Sequence, residues 1–171
     1  MPFRLIGMVH LRPLPGAPGY AGNLTQVCEA AATDAATLSS AGFDAVMVEN
    51  YGDVPFYGDD VPKVTVAAMT RAVSCVREAA GLPVGVNVLR NDALAAVAIA
   101  AATEARFIRV NVLSGVMHTD QGLLTGRAAE VARARASVAP HLEILADVFV
   151  KHATPPAGLT IEQAAADTFR R

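Results

Sequence analysis

Glu49, Asp147 and Lys151 are the side chains of this sequence best suited to moving protons, and each closes or interrupts a run of aliphatic residues. Asp147 breaks the stretch from Ile144 to Val150, where a carboxylate is costly unless it is paired or faces a wet cavity. A structural ion pair with Arg109 is the competing reading. Glu49 ends the run Ala45-Val46-Met47-Val48 and suits a base or an acceptor for a substrate hydroxyl; otherwise it is a solvated carboxylate capping the next loop. Lys151 shares the parity of Asp147, so the two face the same side if one strand carries both. Its amine could hold an anion, transfer protons or form a Schiff base, the last requiring desolvation and a lowered pKa.

A second set would bind rather than react. Asn87, Arg109 and Asn111 sit in otherwise apolar runs and suit a polyhydroxylated or phosphorylated ligand, with Arg109 as a fork for carboxylate or phosphate, or else as a tie to Asp147. His10 and His152 flank the same ends as ligand contacts or general acids, the alternative being hydrogen-bonded structural histidines. Glu49 and Asp147 could share a divalent cation, but no H-x-x-x-H or D-x-D spacing supports one. No metal is expected, and the sequence names no cofactor.

The elements that must position these groups are parallel strands. Leu5–His10, Ala45–Asn50, Val84–Arg90, Phe107–Val112 and Ile144–His152 are near-continuous aliphatic runs, as in strands covered on both faces. Such folds gather their chemistry at the C-terminal ends of the strands. Strand starts near Phe3, Phe43, Pro83, Phe107 and Leu142 alternate with Ala-rich helical segments from about Leu24, Val66, Asn91, Thr125 and Thr160. Asn23 and Thr160 each stand three residues before Gln, a capping spacing, and Gly42 and Gly81 sit where helices need a left-handed residue to stop. The order reads βαβαβαβαβα without an Asn-Gly hairpin.

Two architectures accept this alternation: a doubly wound sheet and a (β/α)8 barrel. The first wants a Gly-rich phosphate turn, and neither G-x-G-x-x-G nor G-x-x-x-x-G-K-[ST] occurs. Polar residues at every strand end favour the barrel. A barrel typically takes about 250 residues, whereas the chain has 171. The expectation is an α/β fold in which a single partial TIM-barrel domain, residues 1–171, holds the first five βα units. Its exposed sheet edges should drive self-association, and a phosphate site built beyond the fifth unit would be missing.

Composition narrows the partners. Hydrophobic residues make up 53% of the chain and charged residues 18%, which fits strands buried on both faces and Ala-packed helices. A net charge of −2 and a pI near 6.0, without a Lys/Arg cluster, argue against nucleic acid. The apolar run Ala93–Ala102 is too short to span a bilayer, and Met1–Leu11 lacks the flank and cleavage site of a signal peptide. Cys28 and Cys75 have no metal-ligand spacing and read as free thiols in a reducing, cytoplasmic setting. The loops Arg12–Asn23 and Tyr51–Lys63 follow strand ends and exceed the usual connection length, as lids or partner surfaces do.

Ordered motifs along the whole chain carry a resemblance. Gly7-Met8-Val9-His10-Leu11-Arg12-Pro13-Leu14-Pro15-Gly16, Val48-Glu49-Asn50-Tyr51-Gly52-Asp53-Val54-Pro55-Phe56 and Thr65–Thr70 come first. Gly85–Asp92, Phe107–Val112, Thr119-Asp120-Gln121-Gly122 and Ala146–Ala153 follow. In these the sequence resembles the BtpA family, the photosystem I biogenesis proteins, which are (β/α)8 barrels of the ribulose-phosphate-binding type. The resemblance implies a complete barrel with three further strands, so the chain reads as shortened or as a fragment. It implies a fold more firmly than a reaction, since relatives also occur in non-photosynthetic bacteria. Two functions follow: an isomerase, lyase or aldolase acting on a small, sugar-like and sometimes phosphorylated molecule, or a non-catalytic assembly factor for a membrane complex.

Overall fold

Residues 5–171 are described by a computed structural model of the chain. The strand start expected at Phe3 lies outside these residues. Five strands form one parallel sheet in the order β1 (Ile6–His10), β2 (Ala45–Glu49), β3 (Val84–Asn87), β4 (Phe107–Val110) and β7 (Glu143–Ala146). Helices α1 (Leu24–Ser40), α2 (Lys63–Ala80), α3 (Ala93–Thr103), α4 (Ala128–Val138) and α5 (Ile161–Phe169) follow β1, β2, β3, β6 and β7 respectively. Sequential strand order means that each crossover steps to the next position, as in a singly wound sheet. A doubly wound sheet would reverse direction at a switch point.

Parity divides the sheet into two faces. Val9, Val46, Val48, Val84, Val86, Ile108 and Val110 pack with the buried sides of α1 to α4 in one apolar cluster. Gly7 shares that face, where a Cβ would meet the Leu38 side chain of α1 at 2.8 Å. The alternate residues, Ile6, Ala45, Met47, Phe107 and Leu145, form a separate, smaller cluster. Helices therefore cover one face, and the polar strand ends belong to the other.

The helix signals hold. Asn23 Oδ1 accepts from the Gln26 N–H, Thr160 and Gln163 form a reciprocal capping box, and Gly81 ends α2 at φ 61°.

Three expectations about strands need correction. A two-stranded antiparallel hairpin, β5 (Val116–Thr119) and β6 (Gly122–Thr125), interrupts the βα alternation between β4 and α4. Asp120-Gln121 makes its turn, with Gly122 at φ 101° and the Thr119 hydroxyl donating to the Gly122 carbonyl. Met117 and Leu124 pack with Val112 and Val150 beneath it. Second, β3 and β4 stop early because asparagine side chains replace the next strand's backbone: Asn50 Oδ1 accepts from the Leu89 N–H, and Asn91 bonds both N–H and C=O of Val112. Third, β7 ends at Ala146, where the register with Val110 ends. Beyond it Thr154 exchanges backbone hydrogen bonds with His118 of the hairpin. Lys151 and His152 therefore lie on a loop, and the shared parity of Lys151 with Asp147 does not apply.

Gly85 lets Phe107 cross the helix-free face, since a Cβ there would stand 2.1 Å from its ring. Gly85→Ala is expected to cost about 2 kcal/mol by overpacking, with Phe107→Leu in the same chain recovering part of it. Equilibrium denaturation checks this, and a neutral Gly85→Ala would contradict the packing.

Candidate functional site

Register alone lines up the polar strand ends. His10 pairs with Glu49 and Glu49 with Asn87 in the parallel ladders, and Arg109 is level with Leu145 two residues before Asp147. Residues paired in a parallel sheet share a face. His10, Glu49, Asn87, Arg109, Asn111 and Asp147 thus occupy the C-terminal end of the helix-free face.

Their side chains form one continuous network. The Arg109 guanidinium donates to both Asp147 oxygens, at 3.0 Å from Nε and 2.9 Å from Nη2. Its Nη1 points to Glu49 Oε2 at 3.4 Å, and the other Glu49 oxygen lies 3.6 Å from His10 Nε2. On the far side Asn111 Nδ2 donates to Asp147 Oδ2 at 3.1 Å, and Asn87 Nδ2 donates to Asn111 Oδ1 at 3.1 Å. The bidentate tie between Arg109 and Asp147, weighed in the sequence against a ligand fork, is present.

The two carboxylates differ in environment. Both Asp147 oxygens accept hydrogen bonds, and that pairing holds Arg109 above its ordinary pKa. Glu49 is 5% exposed with two longer contacts, and burial pushes its carboxyl above the usual carboxylate range against the pull of Arg109 and His10. A buried carboxyl with a raised pKa and loose partners is the pattern of a group that exchanges a proton. Asp147 instead positions the guanidinium. His10 is anchored by stacking on Tyr51, with ring centroids 4.4 Å apart.

A cleft of about 790 Å³ opens over Glu49 and Arg109, within the range of small-molecule sites. Lys151 and His152 enter its wall from the loop after β7, both exposed. Its wall also includes groups that sequence reasoning passed over: Arg90 from the turn after β3, and Asp120 and Gln121 from the hairpin turn. The hairpin residues were legible only as a motif, because four-residue strands leave little periodicity to read. Among the described residues, no group of three or more His, Cys, Asp or Glu could hold a metal ion.

The two long loops are fastened to each other. Leu14 N–H donates to Asp53 Oδ1, Asn50 Nδ2 donates to Asp53 Oδ2, and Gly52 N–H donates to the Leu11 carbonyl. A Cβ on Gly52 would lie 2.5 Å from Pro13 N, so only glycine permits this approach. A second cavity of about 310 Å³ lies between these loops and shares Phe56 and Leu89 with the cleft.

The raised Glu49 carboxyl fixes the sign of a pH effect. A group whose folded pKa exceeds its unfolded value of about 4.3 contributes stability below that value and loses it as pH rises through the folded pKa. Glu49→Gln is therefore expected to melt like the parent near pH 4 and above the parent near pH 8. Melting curves across that range check it; a variant less stable at high pH would mean that the Arg109 contact outweighs burial. Asp147→Ala, which strands the Arg109 guanidinium, is expected to cost about 2 kcal/mol by denaturant titration.

Comparison with known proteins places the chain among relatives. A family model for the BtpA family matches residues 3–171. An uncharacterized protein of Thermococcus kodakarensis is 56% identical over 151 residues, 87% of this chain and 57% of that protein. The photosystem I biogenesis protein BtpA of Synechocystis is 48% identical over 167 residues, 98% of this chain and 58% of that protein. A putative sgc region protein, SgcQ, of Escherichia coli is 36% identical over 131 residues, covering 75% and 48%. The chain thus spans less than two thirds of the length of these relatives.

Proposed function

The chain belongs to the BtpA family, and from that membership we propose that the C-terminal mouth of its sheet binds, and transfers protons on, a small sugar-like or sugar-phosphate-like molecule. The observation that carries this reading is the unbroken network from His10 through Glu49, Arg109, Asp147 and Asn111 to Asn87, of which His10, Glu49 and Arg109 line an open cleft while Asp147, Asn111 and Asn87 back Arg109 from behind. Amides and charged groups so arranged match a ligand dense in hydroxyls. Glu49 is the proton-transferring group, Arg109 polarises the oxygen beside it, and Asp147 with Asn111 holds Arg109 in place. His10 relays the Glu49 proton toward solvent. Asn87, 1% exposed, buttresses the network from beneath through Asn111. The reaction class is isomerase, lyase or aldolase, each of which moves a proton beside a carbonyl or hydroxyl.

We read the sheet as the first five βα units of a (β/α)8 barrel of the ribulose-phosphate-binding type, one partial domain working in the cytoplasm. Sequential strand order and a polar layer at the C-terminal strand ends support this. β1 and β7 stand at the ends of the sheet order, which supports self-association through edges. No helix among the described residues is long and apolar enough to cross a membrane.

A second reading, a non-catalytic assembly factor, draws on exposed Tyr51, Val54 and Tyr57 in the loop after β2 and on the printed name of the Synechocystis relative. Side chains of this kind are enriched at protein interfaces.

Solvent exchange separates the two. Sugars, sugar acids and sugar phosphates incubated with the chain in D2O are expected to gain deuterium beside a carbonyl, followed by proton NMR. Glu49→Gln should slow that exchange by about 100-fold or more while leaving the fold intact. No exchange in any compound, together with loss of partner capture on Tyr57→Ser, would favour the assembly factor.

A further inference from the structure

Among the described residues, no carboxylate lies within ion-pair distance of Arg90, a cation of the mouth. The residue is 7% exposed, yet among the described residues its one side-chain hydrogen bond runs from Nη2 to the backbone carbonyl of Lys151, at 2.6 Å. Arg109 differs sharply, holding Asp147 in a fork and touching Glu49. A guanidinium has five N–H donors in a rigid fan. Among the described residues the buried side-chain nitrogens and oxygens without a partner are Asn87 Oδ1 and Gln121 Oε1, so the remaining Arg90 donors open onto the cleft that this residue lines. Burial lowers the Arg90 pKa, and the exposed Asp120 on the hairpin turn offsets this from beyond ion-pair distance. That carboxylate is itself held by the Gln121 amide, at 2.6 Å.

Lys151 completes the geometry. Its carbonyl is fixed by Arg90, which pins the loop after β7 against the turn after β3, and its side chain lines the same cleft. Two cations without an ion pair among the described residues thus line one space. A guanidinium whose carboxylate neighbours all stand beyond ion-pair distance gains from a bound oxyanion, through charge-assisted and often bidentate hydrogen bonds.

We propose that Arg90 and Lys151 form an oxyanion subsite in the mouth, taking the carboxylate or phosphoryl group of a ligand. The inference rests on the mouth being a ligand site, and narrows its ligand to an acidic molecule. It puts an anion subsite on the turn after β3 and the loop after β7.

The test uses the 171-residue chain with sodium phosphate, sodium glycolate and sodium chloride at matched ionic strength, read by thermal shift and titration calorimetry. Phosphate or glycolate should raise the melting temperature above chloride, whichever does so identifying the group accepted. Arg90→Gln should weaken that binding at least tenfold, Arg90→Lys less, and Lys151→Ala severalfold. Circular dichroism monitors folding of the variants, and the exposed Lys151 gives an independent probe if Arg90→Gln does not fold. Oxyanions no better than chloride, or binding unchanged in the variants that fold, would overturn the subsite. Xylitol is the control: if it binds and depends on Glu49 while oxyanions do not, the subsite fails and the mouth stands. If neither binds, both fail.

Discussion

The pairing of Arg109 with Asp147 is the interaction on which the polar end of this sheet depends. Strands with covered faces tolerate charge poorly, because an unpaired ion away from water costs several times what a hydrogen bond returns. A planar guanidinium that meets both oxygens of one carboxylate satisfies each group with the other, and Asn111 takes up a further lone pair. With that pair in place, Arg109 can extend toward Glu49, and Glu49 can be buried without losing every counter-charge. Glu49 is held loosely and Asp147 tightly, the difference on which the proposed division into a proton-exchanging and a positioning carboxylate rests.

The same sheet end is shaped by backbone groups that lose their ladder. Beyond Asn87 and Val110 the strands no longer pair, and each freed N–H or C=O must find another partner. Asn50 and Asn91 supply it for Leu89 and Val112 where the strands splay. The turn released at Leu89 carries Arg90 into the cleft, and its bond to Lys151 closes the far wall. The loops after β1 and β2 brace the near side through Asp53 and Gly52.

Much of this was legible in the sequence. Aliphatic runs located the parallel strands, and parity along them predicted which residues gather at one end, because successive side chains of any strand point to opposite faces. Caps at Asn23 and Thr160 and the stop at Gly81 are local chemistry and were legible for that reason. Strand ends were not. The run Ile144–His152 stays aliphatic past Ala146, but pairing stops with the neighbour, a non-local event that hydrophobicity cannot signal. Arg90 was hidden for the same reason: it was read as the tail of a strand, where it becomes the free cation of a turn. The hairpin escaped because Asp120-Gln121-Gly122 lacks the usual Asn-Gly signal.

The central claim is that the mouth is a ligand site built on Glu49 and Arg109. Its most direct test is site-resolved NMR of the side-chain amides of Asn87 and Asn111 and the Nε–H of Arg109 during titration with a pentose phosphate and the corresponding neutral sugar. The account predicts saturable shifts at these groups, with resonances of the helix face, such as Val73 and Ile99, unmoved. Saturable shifts on the helix face with none at the mouth, or no shift anywhere with either compound, would contradict it.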